Sequence, residues 1–201
     1  MAENSFSIQE ATEALLKALD ERSRDVVTRR YGLSSGTEET LESIGREYGI
    51  TRERVRQIQS QAKKALLERD ELLREVAMCL EGIFAKHGGL LAEQHAVKLA
   101  EDDFSRHDTT PAHVVFYLDV LNPYRFVSRD THFDPHWLHP EGASQHGRAI
   151  VEAAQEVLKA AGHPMSEEEL ITGIRQQAGD LVADVPTEHV IAHLLASKTV
   201  D

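Results

Sequence analysis

Apolar residues recur every three or four positions along most of the chain, the period of amphipathic helices rather than of strands. Ile8, Thr12, Leu15 and Leu19 mark a short helix, and Val26, Val27, Arg30 and Tyr31 a second that Gly32 is expected to end. After the polar loop Ser34 to Glu39, Thr40 reads as the N-cap of a short helix carrying Leu41, Ile44 and Tyr48, which Gly49 closes. Thr51 is the next cap. Beyond it Val55, Ile58, Ala62 and Leu66 put one helical face in a core and leave the opposite face free. The expected local arrangement is therefore a helix, a tight turn and a second helix. Neither glycine nor proline occurs from Ile50 to Glu81, so the pattern leaves open whether the second helix runs on or breaks near Glu68 to Asp70. Leu72, Val76, Leu80, Ile83 and Phe84 continue an apolar stripe that His87-Gly88-Gly89 stops.

The remainder carries a weak internal repeat. Residues 83–100 resemble 157–174, and 110–121 resemble 185–196; in each copy a proline, Pro111 or Pro186, announces the last helix. After the first copy, the alternation in Tyr124–Arg129 predicts a strand, and a stretch rich in proline and histidine ends in Trp137-Leu138. Helices followed by a hairpin describe a winged helix. The second copy reaches Asp201 where its strands should begin, so its wing is expected to be short or missing, or the chain shortened. The fold class that follows is mainly α: a helix-turn-helix domain at 1–68, a winged-helix-like domain at 70–140 and a second such unit at 146–201.

Composition narrows the functional classes. The single cysteine, Cys79, excludes an intramolecular disulfide framework and fits a reducing compartment. The polar, acidic start and the lack of a long apolar run favour a cytoplasmic location, without a membrane. The net charge of −12 opposes nucleic-acid binding unless positive charge is gathered locally. It is: residues 1–80 sum to −2, leaving −10 for 81–201, while Thr51–Arg69 alone is +4.

With Val55, Ile58, Ala62 and Leu66 inward, Glu53, Gln57, Ser60 and Lys64 occupy the middle of the outward face, flanked by Arg54 and Arg56. Arginine and glutamine suit bidentate contacts to guanine and adenine edges, and a carboxylate accepts from cytosine. In helix-turn-helix geometry the first turns of the second helix meet bases, which places recognition at Thr51 to Gln57; Arg22, Arg30 and Lys64 would add phosphate contacts. A solvated charge stripe is the bland alternative.

The run from Leu15 to Leu67, above all TLESIG and GITRERVRQI, resembles the fourth conserved region of primary-type bacterial sigma factors, the module that contacts the minus-thirty-five promoter element. The resemblance implies that Arg52, Glu53 and Gln57 face base edges, and that Arg22, Arg30, Thr40, Leu41, Arg54 and Arg56 hold the phosphate backbone. It also implies a partner, the RNA polymerase core, through the beta-subunit flap. Gln59 stands where the family usually has Glu, and Gln61 where it usually has Lys. Nothing before residue 15 supplies the regions that bind the core enzyme's clamp and melt DNA, so a complete sigma factor is not expected. Residues 70–201 are similar, mostly in pattern, to HARE-type winged helices. Their acidity favours an unidentified protein partner over DNA.

Other chemistry is weaker. His132, Asp134, His136 and His139 have the residue types of a metal site, but proline interrupts the run, and no metal or cofactor is expected. Cys79, on an apolar stripe without a base, reads as a small buried hydrophobe. Gly88-Gly89 lacks the lysine and strand of a phosphate loop. Glu167, Glu168 and Glu169 after Ser166 read as helix capping, and Trp137 as either a partner anchor or a wing aromatic packed on its own domain. No catalytic constellation is visible. The reading is a sigma-like transcription regulator without enzymatic activity that binds promoter-like duplex DNA. The alternative is a polymerase-binding adapter or decoy with little DNA affinity.

Overall fold

A computed structural model describes residues 8–103, 110–121, 123–128, 130–139 and 146–198, the side chains of 101–103 excepted. The chain is mainly helical. In order it forms α1 (Ile8–Leu16), α2 (Glu21–Tyr31), α3 (Leu41–Tyr48), α4 (Arg52–Leu67), α5 (Asp70–Lys86), β1 (Leu90–Ala92), α6 (Glu93–Asp103) and α7 (Pro111–Val120). Next come β2 (Arg125–Val127), β3 (His136–Leu138), α8 (Gly147–Ala161), α9 (Glu167–Ala178), a 3₁₀ turn (Gly179–Leu181) and α10 (Thr187–Leu195). Among the described residues, no helix is long and apolar enough to cross a membrane. The helix from Thr51 does not run on: it stops at Leu67, and α5 starts at Asp70.

Two compact units emerge, residues 1–80 with 97–122, and residues 81–96 with 123–201. They are drawn differently from the stretches 1–68, 70–140 and 146–201, because α7 packs against α1, α2 and α4 and so joins the helix-turn-helix. In this first unit Val26, Ile44, Val55 and Ile58 form a core cluster with Leu41 and Ile50 packed against it. Helix α7 is apolar on all sides: Val114, Phe116, Tyr117 and Leu118 are fully buried. Phe116 meets Tyr31 edge-on with ring centroids 5.2 Å apart, and Tyr117 OH shares a 3.1 Å hydrogen bond with Thr12 Oγ1. Tyr31 OH donates to Asp119.

In the second unit, a three-stranded antiparallel sheet has the order β1-β3-β2. Helices α8, α9 and α10 surround Ile150, Ala154, Leu170, Ile174, Val190 and Leu194, and Ser166 with Glu169 closes a full capping box at the start of α9. A short antiparallel bridge pairs Ser197 with Phe133, so the backbone after α10 does make a strand-like contact, with the segment ahead of β3. A smaller core of Leu90, Ala92, Phe133, Val151 and Ala196 lies against the sheet. Cys79 is half-buried rather than enclosed. Gly88 and Gly89 end α5 at φ 74° and 76°.

Candidate nucleic-acid interface

The turn between α3 and α4 is set by its glycines. Gly49 takes φ 64°, and the N–H groups of Gly49 and Ile50 close the end of α3 on the carbonyls of Arg46 and Gly45. Gly45 sits where the helices nearly touch: a Cβ there would lie 2.8 Å from the carbonyl oxygen of Ile50 and 3.4 Å from Val55 Cγ2. Thr40 and Thr51 cap α3 and α4, each side chain accepting from the backbone N–H three residues on. Val55 and Leu66 are fully buried, with Ile58 and Ala62 nearly so. That fixes the rotation of α4 and turns Arg52, Glu53, Arg54, Arg56, Gln57 and Lys64 to solvent.

These exposed groups are partly organised among themselves. Arg56 donates two hydrogen bonds to Glu53, at 2.9 and 2.8 Å, which holds the Glu53 carboxyl below its usual range. Arg54 Nη1 donates to Gln57 Oε1 at 3.1 Å. Arg52 and Lys64 make no such bond among the described residues. Lys63, counted in the basic segment, points elsewhere: its ammonium meets Asp119 of α7 at 2.5 Å. Gln59, a departure from the sigma pattern, donates to Tyr31 OH at 3.1 Å and so belongs to the same inner network.

Of the flanking residues, Arg22 is exposed with its guanidinium 5.0 Å from the Tyr48 ring centroid. Arg30 is half-buried, paired with Glu38 at 3.2 Å and donating to the Glu39 carbonyl. Thr40 and Leu41 stand at the start of α3, where the first N–H groups of a helix offer themselves to an anion. The sequence reading missed Arg29. Its guanidinium makes two 2.8 Å bonds to Glu39 and a further contact to Glu47, clamping α2 to α3. No helical spacing links these three, so pattern alone could not reveal them.

Residues 15–67 match the family model for region 4 of sigma-70. Those residues are similar to region 4 of sigma-70. Over 66 residues the chain is 44% identical to the RNA polymerase principal sigma factor HrdD of Streptomyces viridifaciens, covering 33% of this chain and 19% of that protein. Over 70 residues it is 43% identical to the RNA polymerase sigma factor SigA1 of Synechococcus elongatus, 34% of this chain and 18% of the relative. The chain thus spans about a fifth of the length of these relatives. Helix α7 lies outside the region 4 match.

The histidine-rich stretch disperses. His132 lies 3.9 Å from Asp130 and 3.8 Å from Glu152, His136 is buried with Nδ1 bonded to the Asp134 carbonyl, and His139 stacks near Phe84 and Tyr124. Among the described residues no group of three ligating side chains converges.

Proposed function

We propose that the region 4 module reads promoter-type duplex DNA through helix 52–67 and that the chain works with RNA polymerase. Arg52, Glu53 and Gln57 are assigned to base edges, and Arg22, Arg30, Thr40, Leu41, Arg54, Arg56 and Lys64 to phosphates. The observation that carries this reading is the rotation of α4: four aliphatic residues inward, and a row of arginine and glutamine outward at the helix start. The polymerase beta-subunit flap is the proposed protein partner, and residues 81–201, at −10, are assigned to protein contacts. The role requires no catalysis.

Fluorescence anisotropy with a minus-thirty-five-like duplex tests it. Arg52→Ala and Gln57→Ala should each cost about 1–3 kcal/mol and relax sequence preference. Arg56→Ala should weaken all sequences alike and lower the salt slope by about one. Binding indifferent to all three substitutions would refute the base-reading assignment. The adapter reading is favoured by one observation, that Glu53–Arg56 and Arg54–Gln57 satisfy each other without DNA. It is distinguished by copurification with core polymerase in the absence of measurable duplex affinity.

A further inference from the structure

The sheet of the second unit carries a cavity that the duplex-binding reading does not use. Strand register puts Leu90, Leu138 and Arg125 side by side on one face, with His136 and Val127 beside them. The other face carries Leu91, Trp137 and Phe126, the last two rings 5.0 Å apart. The first face, with Asp130, Phe133 and Arg148, lines a half-open cavity of about 350 Å³. Arg125 shares its face of the sheet with Leu90 and Leu138 but lies on the edge strand and is itself exposed, so its guanidinium is open to solvent at the cavity rim. Among the described residues, neither Arg125 nor Arg148 makes a hydrogen bond or ion pair. Arg148 also stands in the first turn of α8, which has no acidic residue and no side-chain cap. A cation there is opposed by the helix dipole, so the positive sign of the wall is reinforced.

The third charge is Asp130. Its Oδ1 accepts from the N–H groups of His132 and Phe133 at 2.8 and 3.2 Å, which keeps the carboxyl below its usual range. No described residue bonds Oδ2. His136 is nine-tenths buried or more, and because a carbonyl can only accept, its Nδ1 carries the proton shared with Asp134. Among the described residues, two guanidiniums without a partner stand against one carboxylate, which leaves a net positive wall with one fixed acceptor. Leu90, Val127, Phe133 and Leu138 supply the apolar remainder.

We propose that this cavity binds a small oxyanion-bearing ligand, a carboxylate or phosphate monoester with a hydroxyl or ammonium group near its anionic end. The guanidinium forks match the planar or tetrahedral oxyanion. Asp130 accepts the neighbouring donor and disfavours bare dianions. The volume is at the lower end of small-molecule sites and too small for a macromolecular surface. The residues lining it all belong to the second unit and none is assigned to duplex binding, so this proposal and the duplex-binding reading fail independently.

Calorimetric titration of the full chain tests it, with emission from Trp137 as a local reporter, since that residue is the sole tryptophan and flanks His136 and Leu138. One arm uses malate and an α-amino acid. The other uses inorganic phosphate and a nucleoside 5′-monophosphate. Saturable binding in one arm at about millimolar Kd or tighter is expected, weakened about tenfold by Arg125→Ala and by Arg148→Ala, with sodium chloride at matched ionic strength inert. Both arginines are exposed, so the variants should fold, and an unchanged melting temperature verifies it. Two results would overturn the proposal: no saturable heat or emission change with any probe, or binding that neither substitution alters.

Discussion

Replacing Phe116 with alanine tests whether helices α2 to α4 depend on a helix far outside the region 4 match. Phe116 is fully buried in α7, with its ring 5.2 Å from that of Tyr31 in α2 and 5.1 Å from that of Tyr117. Truncating an enclosed phenylalanine costs about 3–5 kcal/mol through lost transfer energy and the cavity left behind. The edge-on pair with Tyr31 accounts for about 0.5–1.5 kcal/mol of that. Set against total stabilities of about 5–15 kcal/mol for a folded domain, the first unit should lose a large fraction of its stability. Hydrogen exchange of the Val26, Ile44 and Val55 amides, followed in increasing urea, reads this unit alone. Protection at all three should fall together in Phe116→Ala, and duplex affinity should fall with it once the unit is partly unfolded. A loss below about 1 kcal/mol, or a fragment ending at Arg69 that keeps full protection and full duplex affinity, would refute the dependence.

Thr51→Ala removes the side-chain acceptor at the start of α4 and should destabilise the unit by about 1 kcal/mol, read by urea midpoint. Gly45→Val forces a Cβ to 2.8 Å from the Ile50 carbonyl; chemical denaturation should reveal at least about 1–3 kcal/mol of strain, with weaker duplex binding as α3 and α4 separate. Burial holds His193 below the ordinary imidazole value of 6.5. The unfolded chain then takes up a proton before the folded one does, so stability is full above about pH 6.5 and declines as pH falls toward the folded-state value. Melting curves should show this acid-side decline lessened in His193→Leu; an unchanged profile would refute it.

What the sequence revealed were features encoded within a turn or two of helix. Thr40, Thr51 and Ser166 cap helices because a hydroxyl three residues before an N–H is a local geometry. Val55, Ile58, Ala62 and Leu66 face inward because helical period alone sets their side. The partners of α7 were not legible. That helix has no polar stripe to orient it, and Thr12 and Tyr117 meet across 105 positions. For the same reason Lys63 entered the charge count as a free cation although Asp119 neutralises it. Arg125 could be assigned to a strand, but which face it occupied depended on its register with β3.

The return of the chain through Pro111–Val120 has a consequence for biosynthesis. Translation supplies about 5–20 residues per second, so roughly fifty further residues must be made after Leu67 before α7 is available, a delay of several seconds. Throughout that interval Tyr31 and its neighbours present an oily surface on the nascent polypeptide. The growing chain is then a natural client for ribosome-associated chaperones, and a stop codon placed just after α4 would yield a sticky product rather than a self-sufficient small domain.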